Sequence, residues 1–210
     1  MRKISLFLGI LTSIISVFGY SSTDASNAEF LANQWIITSQ SSAKWYRLDD
    51  NITRAEAVGI ALKVKWVTLP EKYACMNYFT DVRYNSTNNW ICRAAELAAD
   101  NWLVTRENAK FRPQDNITKA EALAIFVWQF DPEWRDFSYS FDTTESWQRF
   151  LLWHASTNNI IDLSKLKSST VWDWMGNKIY YFYPNRPATR AEVFSFARNI
   201  LPHSTQWQFD

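Results

Sequence analysis

One five-residue motif occurs three times in this chain: Ile52-Thr53-Arg54-Ala55-Glu56, Ile117-Thr118-Lys119-Ala120-Glu121 and Ala188-Thr189-Arg190-Ala191-Glu192. Self-similarity of this kind marks a fold assembled from repeated supersecondary units. The matches extend upstream. Phe111-Arg112-Pro113 begins seven residues before Thr118, and Phe182-Tyr183-Pro184 begins seven before Thr189. In the first copy the aromatic is read as Trp45, eight residues before Thr53 and so one residue longer. Further back, Asn101-Trp102-Leu103-Val104-Thr105 echoes Gln34-Trp35-Ile36-Ile37-Thr38.

The motif has a physical meaning. Thr-x-x-Glu is a capping box, in which the threonine hydroxyl accepts from the third helical amide and the glutamate reaches back to the cap amide. Thr53 with Glu56, Thr118 with Glu121 and Thr189 with Glu192 therefore start helices, and capping accounts for these glutamates without any ligand. The apolar runs that follow, Ala55 to Val64, Ala120 to Phe130 and Ala191 to Leu201, are long enough to be those helices, with Pro202 ending the last. A shorter helix precedes each box, clearest at Asn89 to Asn101. The unit is helix, loop, capped helix, and one unit is too small to bury its own apolar face. The expected fold is mainly α: three helix-loop-helix repeats in a pseudo-threefold arrangement around a central three-helix bundle.

Arg54, Lys119 and Arg190 occupy the first helical position, where the positive end of the helix dipole disfavours a cation by a few tenths of a kcal/mol. Three helices making the same unfavourable choice imply a negative group nearby. It is either a ligand carboxylate or an Asp or Glu of the chain itself.

The N-terminus reads as an export leader over residues 1–25, with an uncleaved membrane anchor as the alternative. Arg2 and Lys3 precede a mostly apolar run from Ile4 to Phe18 that is short for a bilayer span. Cleavage sites follow Gly19, Ala25 or Ala28, and the mature chain has no further long apolar segment. Lys and Arg number 22 against 21 Asp and Glu, with two of the cations in the leader. There is no electrostatic footprint for nucleic acid. In an oxidising compartment the two cysteines pair as Cys75–Cys92, closing a loop worth about 3 kcal/mol in the chain-entropy model. Two buried free thiols are the alternative. With only His154 and His203 beside them, no metal or cofactor is expected. No nucleophile motif, metalloprotease motif or phosphate-cradling loop occurs, and Asp49-Asp50 has a turn explanation. A secreted glycosidase is the competing class, but the chain reads as non-enzymatic.

Phe79-Thr80-Asp81-Val82, Trp90, Phe111-x-Pro and Thr118-Lys119-Ala120-Glu121 together resemble an S-layer homology repeat. The resemblance spans three copies, 27–68, 75–131 and 139–201. The first lacks the Phe-x-Asp opening, and the third has Phe141-Asp142 and Trp147 with an aromatic-rich insertion over 162–181. The resemblance implies a cell-surface module that binds an anionic, pyruvate-bearing wall polysaccharide in grooves between repeats. Other surface-layer proteins are further potential partners. By the same resemblance Arg54, Lys119 and Arg190 face the ligand, Asp81 and Asp142 shape the groove mouths, and Trp90 and Trp147 form the walls. Lys119 cannot make the two-pronged carboxylate bond of an arginine. The alternative function is a structural or protein-interaction module that has lost polysaccharide binding.

Composition adds an anomaly. The chain has 12 Trp and 4 Gly, where average usage would give about 15 glycines. Trp35, Trp66 and Trp102 stand just after helices, where a left-handed glycine is usual. Either these are genuine tryptophans packed at interfaces, or they are UGA codons that the organism reads as glycine.

Overall fold

The computed structural model describes residues 20–71, 75–83, 89–106, 110–127, 139–172 and 178–204. Its helices are α1 (Ser22–Asn33), α2 (Arg54–Val64), α3 (Asn89–Asp100), α4 (Lys119–Val127), α5 (Ser146–Thr157) and α6 (Arg190–Ser204). Helix α6 runs on to Ser204, past Pro202 where the sequence predicts its end, although Pro202 has no amide to donate back and its ring crowds the carbonyl four residues earlier. The expected extension of α4 to Phe130 lies outside the described residues beyond Val127.

Helices α2, α4 and α6 each start at a motif threonine. Thr53, Thr118 and Thr189 each accept from the amide of the glutamate three residues on, at 3.3 Å. Each glutamate accepts in return from its threonine amide, at 3.0, 3.0 and 3.1 Å. A fourth capping box, Ser21 with Asp24, starts α1.

The three helix starts are joined in a closed cycle. The Ile52 amide donates to the Ala188 carbonyl (3.1 Å), Ala188 to Ile117 (2.9 Å), and Ile117 back to Ile52 (3.2 Å). The next amides are orphan donors of the first helical turn. Each finds a neighbouring loop: Arg54 donates to Asp115, Lys119 to Arg186 and Arg190 to Asp50, all at 2.9 Å. Ala55, Ala120 and Ala191 follow, donating to Pro113, Pro184 and Leu48.

That bonding resets one alignment. Leu48 takes the place of Pro113 and Pro184, so Tyr46, not Trp45, corresponds to Phe111 and Phe182. The seven-residue spacing then holds in all three segments. Tyr46, Phe111 and Phe182 are buried, whereas Trp45 is 61% exposed.

Helices α2, α4 and α6 contact one another in every pair. Val58, Leu62, Leu123, Phe126, Val193 and Phe194 are among their buried side chains. Around them α1 packs mainly on α6, α3 on α2 and α5 on α4. Each outer helix thus lies on the capped helix before it in the cycle, not on the one that follows it in the chain. The 162–181 stretch adds strands β2 (Lys167–Trp172) and β3 (Lys178–Tyr181), and β1 (Tyr139–Phe141) precedes α5. They form one sheet of order β1-β3-β2, with β1 parallel and β2 antiparallel to β3.

Candidate functional site

The negative group beside each first-turn cation is a capping glutamate of the next helix in the cycle. Arg54 Nη2 donates to Glu121 Oε1 at 2.6 Å, Lys119 Nζ lies 2.9 Å from Glu192 Oε1, and Arg190 Nη1 donates to Glu56 Oε1 at 2.9 Å. Each glutamate therefore caps its own helix with one oxygen and holds a neighbouring helix with the other. Burial pushes the Glu56 carboxyl up, but the Thr53 amide and the Arg190 guanidinium outweigh it and hold it below the usual range. Glu121 is lowered against burial by the Thr118 amide and Arg54. Glu192 is lowered against burial by Lys119 and Arg186. Burial pushes the Lys119 ammonium down, and the attraction of Glu192 recovers only part of that.

Both acids expected at groove mouths are held by backbone amides. Asp81 accepts from the Phe111 and Arg112 amides at 2.8 and 2.7 Å, and Asp142 from those of Phe182 and Tyr183 at 2.6 and 2.9 Å. Arg112 and Tyr183 have φ of 57° and 56°. Each carboxylate thus binds two successive amides at a left-handed bend, an anion-holding geometry that the chain fills itself. Trp90 stands over α2, where a Cβ on Gly59 would lie 3.9 Å from its ring.

Between α2 and α4 runs an open groove of about 210 Å³ lined by Arg54, Lys110, Phe111, Arg112, Glu121 and Trp147, among others. Arg112 Nη2 also donates to Glu121 Oε1, at 3.3 Å. Among the described residues, two guanidiniums and an ammonium thus share this groove with one carboxylate. The Arg54 side chain is only 12% exposed, and its Nε has no partner among the described residues. Sequence reasoning missed Lys110 and Arg112; the signal available was the cation inside Phe111-Arg112-Pro113. Of the expected ligand-facing groups, Arg54 and Trp147 meet in this groove.

The linker before Phe79 is tied twice to α3. Cys75 and Cys92 form a disulfide with 6.2 Å between their Cα atoms. Glu96, buried on α3, accepts from the Met76 and Tyr78 amides at 2.8 and 3.2 Å.

Residues 79–123, from the Phe-x-Asp opening to the capped start of α4, match the family model of the S-layer homology domain. This segment is an S-layer homology domain. Such domains are in general non-catalytic modules that bind cell-wall polysaccharide and anchor proteins at the cell envelope. No curated protein matches the chain. The S-layer homology domain holds most of the groove's polar lining, namely Lys110, Arg112 and Glu121. Among the described residues no helix is long and apolar enough to cross a membrane.

Proposed function

We propose that the chain is an exported envelope-anchoring protein of three S-layer homology repeats in pseudo-threefold array, over 27–68, 75–131 and 139–201. The closed cycle of backbone hydrogen bonds supports the three-repeat reading, because each motif makes the same bonds to its neighbour. The proposed ligand is an anionic wall polysaccharide of the pyruvylated type.

The observation that carries this reading is the charge balance of the α2–α4 groove. Among the described lining residues Arg54, Arg112 and Lys110 meet one carboxylate, Glu121, so a ligand carboxylate entering the groove finds positive charge in excess there. Arg112 is half-exposed and can turn from Glu121 to a ligand with a two-pronged bond. Trp147 offers a partly exposed ring as a wall for a sugar face. Lys119 shares Glu192 with the part-exposed Arg186 in a similar way, and Arg190 pairs with Glu56; binding is proposed first for the groove that Arg54 lines.

Pull-down on purified envelope polymer tests this. Wild type is expected to bind, and Arg112→Ala with Lys110→Ala is expected to lose at least tenfold while keeping the helical signal in circular dichroism. Unchanged binding in that double variant would reject the groove. Failure of the wild type to bind would favour the second reading, a structural module that kept the fold and lost the ligand. The pairing of every first-turn cation with a glutamate favours that second reading.

The export reading also selects among the cleavage sites. Ser21 caps α1, whose helix runs through Ala25 and Ala28. Cleavage after Gly19 leaves that helix whole, whereas cleavage after Ala25 or Ala28 removes its capping box.

A further inference from the structure

Four helices end in one and the same way. After α1, α2, α3 and α5 a left-handed residue is followed by an aliphatic, buried at Ile36, Leu103 and Ile160 and partly buried at Val67, whose amide bonds back into the last turn: Ile36 to Leu31, Val67 to Leu62, Leu103 to Ala98 and Ile160 to Ala155, at 2.8–2.9 Å. This is the Schellman termination, whose left-handed position is filled by glycine and less often asparagine. After α5 the residue is Asn159, with φ 58°. After the other three it is tryptophan: Trp35 with φ 61°, Trp66 with φ 60° and Trp102 with φ 60°.

A left-handed conformation brings Cβ against the following carbonyl, a clash that a large side chain does nothing to relieve. Residues held this way at a cost normally gain something from the surroundings. These rings gain little, since Trp35 and Trp102 are 88% and 89% exposed and Trp66 is 50% exposed. Two other left-handed residues, Arg112 and Tyr183, have a carboxylate on their amides to account for them. The sole glycine among the described residues, Gly59, lies inside a helix.

We propose that positions 35, 66 and 102 are glycine in the native protein, encoded by UGA codons that its source reads as glycine and that stand as tryptophan in the sequence. UGA differs from the tryptophan codon UGG by one base. Reading UGA as tryptophan instead of stop yields a full-length chain with tryptophan wherever glycine belongs. Three such positions would leave 9 Trp and 7 Gly in place of 12 and 4, so one cause accounts for part of both departures. With glycine there the three helix ends expose bare backbone, and the surface hollow now lined by Trp102, Val104 and Thr105 loses its indole. This inference is independent of the polysaccharide reading, which uses none of the three positions.

The coding sequence, together with peptide mass spectrometry of the protein from its native source, tests it. UGA at all three codons with glycine residue masses at 35, 66 and 102 is the expected result. A UGG codon or a tryptophan residue mass at any of the three overturns it. A recombinant comparison gives a second readout: a chain with glycine at the three positions is expected to melt at a higher Tm than the tryptophan chain. An equal or lower Tm counts against it.

Discussion

Glu121 carries three tasks on one carboxylate: it accepts from the Thr118 amide, pairs with Arg54 and reaches Arg112. Glu121→Ala removes the return half of a capping box and leaves a mostly buried guanidinium without its counter-ion. The cap contributes about 1 kcal/mol, and an unsatisfied buried charged donor costs about 1–3 kcal/mol more. Urea unfolding is therefore expected to show a loss of about 2–4 kcal/mol. Glu121→Gln keeps an acceptor for the cap and should lose less than the alanine variant. Acid acts on all three glutamates together. Their folded-state carboxyls lie below the usual value, so the folded state binds fewer protons than the unfolded one in that window. The stability they contribute is fully present above the ordinary carboxylate pKa of about 4.3. It drains away as pH falls through the lower folded-state values. A Tm profile from pH 7 downward is expected to break below about pH 4.5, with a shallower break in Glu121→Ala. At this scale the box and the misplaced cation were legible, since both are local patterns. The counter-ion was not, because Arg54 and Glu121 stand 67 residues apart.

At the scale of elements, α3 shows what pattern reading reaches. Its span and its disulfide were legible, because a helical period and an even cysteine count behind a leader-like N-terminus are read from letters alone. Glu96 was not, since a buried acid on α3 makes sense only once the Met76 and Tyr78 amides arrive beside it. The two ties are separable. Cys75→Ser with Cys92→Ser is expected to cost about 2–4 kcal/mol, the range for native cross-links, while Glu96 keeps the linker seated. Glu96→Ala should leave two amides unsatisfied at about 1–3 kcal/mol and raise hydrogen exchange at Met76 and Tyr78 with the disulfide intact. The strands of the 162–181 insertion were illegible for another reason. Strand β3 pairs in parallel with β1, which lies on the far side of α5, and no local alternation encodes a partner that distant. The Trp45 misalignment is of the same kind: two adjacent aromatics fit the spacing, and only the Leu48 carbonyl bond to Ala191 chooses Tyr46.

Closure is the property of the whole molecule that neither residues nor elements contain. Helix α1 lies on α6, with Phe30 under the Arg198 guanidinium at 3.6 Å and with Ala28 and Leu31 fully buried. The first helix of the described chain thus covers the last, while Ile52 bonds to Ala188 at the same seam. In an open stack of units a terminal unit contributes one interface, and its loss is tolerated in proportion. In a closed cycle every unit contributes two, and opening it at any point leaves two apolar faces bare. Residues 79–123 include α3, whose main partner α2 lies outside them, and half of α4, which packs on α2, α5 and α6. That fragment alone is therefore expected to show little helix by circular dichroism and no cooperative melt. A chain that starts at Tyr20 keeps the Ser21 cap and should melt as one transition. A chain that starts at Glu29 loses that cap and Ala28 from the α6 seam, and should melt at a lower temperature with Ile52 and Ala188 the first amides to exchange. Independent folding of 79–123 would show that each segment is self-sufficient, and the closed cycle would then be a contact between finished units instead of the condition for forming them.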